Sequence, residues 1–172
     1  MSLPSVEILI DRLIQALKPY FSSAQNPIDQ PLIVGIETGG YWLASRIHQA
    51  IAPETGLGRL NISFYRDDFT QAGLHPTVRP SCLPNDIDGK TIILIDDVLY
   101  SGRTVRAAMN EIFDYGRPDR IILAILIDRG EREIPIQADI VGATIRLEPG
   151  NHIKLSGPEP LQLTIKSLIG NN

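Results

Sequence analysis

"KTIILIDDVLYSGRTVRAAMNEIFDYG", residues 90 to 116, decides the fold. Thr91 to Ile95 form an unbroken apolar and β-branched run that leads straight into two adjacent carboxylates, Asp96 and Asp97. A Ser-Gly-Arg-Thr turn follows at 101 to 104. The helical pattern after it covers 103 to 115, with Gly116 as the C′ residue and Pro118 just beyond. Residues 120 to 128, "RIILAILID", are a second continuous apolar run. Such runs mark strands buried on both faces of a parallel sheet. Strand, helix and strand in this order make a βαβ unit, and so an α/β fold.

The surrounding chain repeats the pattern. "LIVGI", 32 to 36, leads into Glu37-Thr38-Gly39-Gly40, and "YWLASRIHQAI" reads as a helix up to Pro53. "LNISFYR", 60 to 66, is strand-like. Near the start, Val6, Leu9, Ile10, Leu13 and Leu17 recur at helical spacing, with Ser5 as an N-cap and Pro19 ending the helix. Residues 67 to 86, "DDFTQAGLHPTVRPSCLPND", hold three prolines and no periodicity, which suits a lid, a binding loop or a mobile connection. The whole chain, 1 to 172, reads as one domain.

Composition bounds the function classes. At 43% hydrophobic and 21% charged, the 172 residues are globular rather than disordered. The net charge is −4 and the 16 basic residues are scattered, which argues against strong non-specific nucleic-acid binding. The lone Cys82 allows no intrachain disulfide and no cysteine metal cluster, and it reads as an unreactive thiol. No run spans a bilayer, and Glu7, Asp11 and Arg12 interrupt the N-terminal apolar positions, so no signal peptide is expected. A cytoplasmic protein is the expectation.

In open α/β sheets, ligands bind outside the carboxyl ends of the strands. Asp96 and Asp97 therefore face a crevice, next to a turn whose backbone N–H groups and Ser101 and Thr104 hydroxyls make an anion site. Carboxylates beside an anion cradle suit a sugar phosphate: hydroxyls donate to the acids while the phosphate sits on the helix end. A Walker P-loop is excluded, because no G-x-x-x-x-G-K-[ST] occurs.

"ILIDDVLYSGRT" resembles the phosphoribosyl-diphosphate signature of type I phosphoribosyltransferases. The longer run "DDVLYSGRTVRAAMNEIFDYGRPDRIILAILIDRGEREIPIQAD" is similar to the bifunctional pyrimidine-operon regulator/uracil phosphoribosyltransferase (PyrR) family, with "VGIETGG" and "SFYRDDF" as further landmarks in the right order. The resemblance covers about 32 to 155. It implies a mainly parallel central sheet flanked by helices, and a small hood formed by about 129 to 155 and the chain ends.

It also implies the reaction: phosphoribosyl diphosphate and uracil give UMP and diphosphate, with Mg²⁺ held mainly by the substrate near Asp96 and Asp97. In that family these two acids engage the ribose hydroxyls, and the loop Val98, Leu99, Tyr100, Ser101, Gly102, Arg103 and Thr104 holds the 5-phosphate. Thr38, Gly39 and Gly40 hold diphosphate. Arg66 either donates to diphosphate or sits in a surface ion pair. Backbone near Arg129 and Ile153 meets uracil, although Ile153 reads equally as core. His75 and Arg79 read as solvated.

The resemblance further implies a homodimer or larger homo-oligomer. A second function is implied as well: sensing UMP or UTP and binding the leader RNA of the pyrimidine operon. This sequence departs from relatives in two regions, the loop at 38 to 40 and the hood. Thr38-Gly39-Gly40 replaces Thr-Arg-Gly, which removes a diphosphate-binding cation. Glu131, Gln137 and Ala143 replace the basic residues with which Gram-positive relatives bind RNA. A phosphoribosyltransferase for a purine base is the third reading.

Overall fold

The computed structural model describes residues 3–24, 29–62, 80–84 and 86–167. Along the chain run helix α1 (Val6–Ser22), strand β1 (Leu32–Ile36), α2 (Gly39–Ile51), β2 (Leu57–Leu60) and β3 (Thr91–Leu99). They are followed by α3 (Arg103–Tyr115), β4 (Arg120–Asp128), β5 (Ile140–Thr144), β6 (Asn151–Ser156) and β7 (Gln162–Ser167). Five strands form one sheet in the order β2-β1-β3-β4-β5, with every pair parallel, and β6 and β7 make a separate antiparallel pair. The expected α/β architecture with a parallel central sheet is therefore the observed one.

Both sheet faces are covered, which is why β3 and β4 are apolar without alternation. Ile93, Ile95, Ile122, Ala124 and Leu126 pack with Leu9, Leu13, Leu17, Leu43 and Ile47 of α1 and α2. Ile92, Leu94, Leu123 and Ile125 pack on the other side with Val105, Ala108 and Ile112 of α3. Each fully buried leucine or isoleucine contributes roughly 1.5–3 kcal/mol. Among the described residues, no helix is long and apolar enough to cross a membrane.

The strand order reverses between β1 and β3, since β2 lies outward on one side and β4 and β5 on the other. At such a switch point the two following connections part to opposite faces and leave a crevice at the carboxyl ends. Here those connections are Glu37–Thr38 into α2 and Tyr100–Gly102 into α3.

Four local expectations differ from the structure. Pro19 lies inside α1 rather than ending it. The missing N–H costs about 3 kcal/mol in a helix interior and less in a last turn. Phe21, 8% exposed, offsets that by continuing the buried stripe, and the N–H and Oγ of Ser23 both donate to the Pro19 carbonyl (3.3 and 3.1 Å). Ser5 occupies the N-cap position without a side-chain capping bond.

The strand expected at 60 to 66 is instead Leu57–Leu60; Asn61 and Ile62 are outside it, and 63 to 66 lie outside the described residues. Its partner β1 sets this limit: the register ends at Ile36 opposite Leu60, and the Glu37 N–H makes the last bond to the Leu60 carbonyl (2.8 Å) before the chain turns into α2. Gly116 closes α3 in an extended conformation (φ 168°) rather than a left-handed one, and its lack of a side chain leaves room for Asp88 and Ile87.

The stretch 129 to 155 divides. Residues 140 to 144 are the fifth strand of the central sheet, tied to α1 by Arg12 Nη1 donating to the Gly142 carbonyl (3.2 Å), whereas 151 to 156 pair with 162 to 167.

Candidate active site

Strand β3 does not stop at the two aspartates but carries them as its sixth and seventh residues. They are not equivalent. Asp96 is 1% exposed, so the expectation that both acids face the crevice holds only in part; Asp97 is half-buried. The Asp97 N–H donates to Asp96 Oδ1 and the Val98 N–H to Asp97 Oδ1, both at 3.0 Å, so each carboxylate is steered by the next peptide.

The first turn of α2 is packed onto this pair. A Cβ on Gly39 would lie 2.7 Å from Asp97 Cγ, and one on Gly40 would lie 2.6 Å from the Ile95 carbonyl and 3.0 Å from Asp96 Oδ1. Gly39 and Gly40, expected as a loop, are thus the first two residues of a helix, with Thr38 as the residue before it. The arrangement sets the positive end of the α2 peptide dipoles against two carboxylates. Glu37, immediately before, pairs with Arg59 of β2 (3.2 Å) and is joined to Thr38 by a cis peptide.

The turn after β3 bends on Gly102, whose φ of +92° is a left-handed conformation that favours glycine. Ser101 is buried, and its Oγ accepts from the Arg103 N–H (3.3 Å), organising the start of α3. Val98 packs against the core and the Leu99 side chain is buried in it, so their backbone is what remains for the turn; Tyr100 is exposed and Thr104 half-buried. The exposed Arg103 pairs with Glu133 (2.6 Å).

Arg129 follows β4 and is 6% exposed, yet its Nε has no hydrogen-bond partner among the described residues. Its guanidinium lies 4.1 Å from the centroid of the Tyr100 ring, a cation–π contact, and pairs with Glu131 (2.9 Å). Arg129 is thereby brought to the turn. The Ile153 side chain is not: it is 8% exposed and belongs to the core with Leu155 and Leu161. Arg66, His75 and Arg79, with most of the 67 to 86 connection, lie outside the described residues. Cys82 is exposed, and its backbone pairs with that of Arg59.

Sequence reasoning missed Arg132. Its side chain reaches the carbonyls of Tyr100 and Ile136 (3.0 and 2.8 Å) and Asp128 Oδ2 (2.7 Å). No spacing rule flags it, because its partners come from three segments. Among the described residues, no three or more His, Cys, Asp or Glu side chains cluster as a metal site.

The arrangement can hold a polyhydroxylated, phosphorylated ligand: acceptors at Asp96 and Asp97, and amide donors on either side at the starts of α2 and α3. The comparisons agree. A phosphoribosyl transferase domain model matches residues 3–157. A curated relative from Pseudomonas fluorescens, "Bifunctional protein PyrR", is 50% identical over 168 residues, covering 98% of this chain and 99% of its own. A second of the same name, from Pseudomonas paraeruginosa, is 51% identical and covers 98% of each.

Among solved structures, a hypoxanthine-guanine phosphoribosyltransferase from Bacillus anthracis superposes with a TM-score of 0.66 at 19% identity, over 88% of this chain and 85% of that one. A purine phosphoribosyltransferase from Pyrococcus horikoshii gives 0.61 at 21% identity, over 81% and 82%. At these identities the likeness concerns the fold. With half of its residues shared along nearly the full length of curated relatives, the chain belongs to the PyrR family of phosphoribosyltransferases.

Proposed function

We propose that the chain moves the 5-phosphoribosyl group of phosphoribosyl diphosphate to N1 of uracil. The bond from C1 of the ribose to the diphosphate oxygen breaks, the bond to N1 forms, and the N1 proton is lost. The observation that carries this reading is the packing of Gly39 and Gly40 onto the Asp96–Asp97 pair, beside the turn that opens α3.

Asp96 and Asp97 accept from the ribose hydroxyls and favour the positive charge that develops on the sugar as diphosphate departs. The loop 98 to 104 takes the 5-phosphate through the backbone N–H groups that the Val98–Asp97 and Arg103–Ser101 bonds leave over, with the Ser101 and Thr104 hydroxyls. Thr38, Gly39 and Gly40 offer their amides to the diphosphate. The backbone at Arg129, fixed by the stacking of its side chain on Tyr100, meets the base.

Two adjacent carboxylates, with no third His, Cys, Asp or Glu clustered beside them among the described residues, fit a Mg²⁺ that arrives on the substrate and keeps its waters. Asp96 and Asp97 would hold it through those waters, and when bound it neutralises charge on the departing diphosphate.

The test compares uracil, hypoxanthine and guanine as acceptors with phosphoribosyl diphosphate. UMP is the expected product; no UMP, or a preference for a purine, overturns the reading.

A second reading comes from the word "bifunctional" in the names of the curated relatives: a UMP- or UTP-sensing, oligomeric regulator that binds pyrimidine leader RNA. The charges weigh against it. Arg46, Arg103, Arg129 and Arg132 are paired with Glu7, Glu133, Glu131 and Asp128, and the net charge is −4. A gel shift with leader RNA at about 50 and 200 mM salt, with and without UMP, is expected to give no nucleotide-dependent band. A salt-sensitive, UMP-dependent shift would establish the regulator.

A further inference from the structure

A turn that binds an anion through its N–H groups must send its carbonyls elsewhere. A carbonyl directed at the anion repels it, and one buried without a donor costs about 1–3 kcal/mol. The carbonyls of Leu99, Tyr100 and Ser101 all accept from one short segment, Arg129 to Ile134. Leu99 O receives the Arg129 N–H at 3.0 Å and Arg132 Nη1 at 3.5 Å. Tyr100 O receives Arg132 Nη1 at 3.0 Å, and Ser101 O receives the N–H groups of Glu133 and Ile134 at 3.0 and 3.3 Å. The Gly102 carbonyl is taken within α3 by the Arg106 N–H (3.0 Å).

Among the described residues, Arg132 is the side chain that donates to these carbonyls, and it is held on every side. Nη2 pairs with Asp128 Oδ2 (2.7 Å), whose other oxygen accepts the Gly130 N–H (2.7 Å), and Nε donates to Ile136 O (2.8 Å). All three guanidinium nitrogens are used, in divergent directions that a lysine ammonium on a single point cannot reproduce. Ile134 then closes over the turn: a Cβ on Gly102 would lie 3.0 Å from Ile134 Cγ1.

We propose that Arg132 is a positioning residue for the phosphoribosyl substrate: by drawing the Leu99 and Tyr100 carbonyls to the rear of the turn, it keeps the N–H edge directed at the 5-phosphate. The inference rests on the reading that 98 to 104 holds that phosphate. It assigns the Asp128–Arg132 pair a task in substrate affinity that Glu131, the residue just before Arg132 and paired with Arg129, does not share.

Three variants of the full chain test it, assayed well below their melting temperatures: Arg132→Lys, Arg132→Ala with and without added guanidinium, and Ser101→Ala. For Arg132→Lys, the KM for phosphoribosyl diphosphate rises about 10-fold or more, the scale of a lost hydrogen bond to a charged group, while the KM for uracil stays within about 2-fold. Guanidinium restores part of the affinity of Arg132→Ala. A purely structural arginine would lower the melting temperature and the active fraction and leave both KM values alone, and that result overturns the inference. If Ser101→Ala raises the KM for phosphoribosyl diphosphate and Arg132→Lys does not, the inference falls while the 5-phosphate reading stands. If neither variant moves it, both fall.

Discussion

Replacing Asp96 and Asp97 together by asparagine lowers kcat/KM for UMP formation about 10²–10³-fold, the scale of removing charge stabilisation built into a site. Asparagine is the informative substitute because it retains Oδ1. The N–H groups of Asp97 and Val98 donate to Oδ1 of Asp96 and Asp97, so the exit of β3 keeps its local bonds while both negative charges are removed. Circular dichroism and thermal melting therefore stay close to the parent, and the loss is chemical.

The single variants separate the two acids. Asp97 is half-buried and lies where a ligand can reach it, whereas Asp96 is 1% exposed behind Gly40. Asp97→Asn accounts for most of the fall in rate, and Asp96→Asn for less of the rate and more of any change in melting. Turnover of the double variant within a few fold of the parent would remove the carboxylate pair from the mechanism.

What the sequence disclosed follows from which interactions are local. β4 and α3 were legible to the residue: Arg120–Asp128 is continuously apolar because both its faces are covered, and α3 has its stop signals in Gly116 and Pro118. The site segment 96 to 104 was legible for the same reason, since acids, turn and helix start are contiguous.

Elements whose limits are set by a distant partner were not. β2 ends where β1 ends, and β5 is a five-residue Ile-Val-Gly-Ala-Thr strand recognisable only once β4 offers it an edge. The pattern at Pro19 lost to the burial of Phe21, a tertiary effect. Within the site, the approach of Gly39 and Gly40 to β3 and the hold of Arg132 on the turn join residues tens of positions apart. The family resemblance pointed to the glycine loop but not to its contact.

That contact sets two neighbouring glycines apart in what an added methyl would cost. Gly40→Ala destabilises by about 1–3 kcal/mol or more and abolishes most activity, because overpacking a rigid environment forces backbone shifts. Its new methyl would sit 2.6 Å from the Ile95 carbonyl and 2.8 Å from Asp96 Cα, both backbone atoms of a central strand hydrogen-bonded on each side. Neither can retreat without breaking the β1–β3 or β3–β4 register.

Gly39→Ala, one residue earlier, meets the Asp97 side chain first: the carboxylate can rotate away, and Asp97 Cβ, 3.1 Å from the new methyl, has to give by only a few tenths of an ångström. Its melting temperature stays near the parent's, yet its rate falls in the manner of Asp97→Asn, since the rotated carboxylate no longer lies where the sugar needs it. Thermal melts and steady-state kinetics on the two alanine variants therefore give opposite pairings of stability and activity. Equal melting temperatures for both would mean that α2 does not press its first turn onto β3.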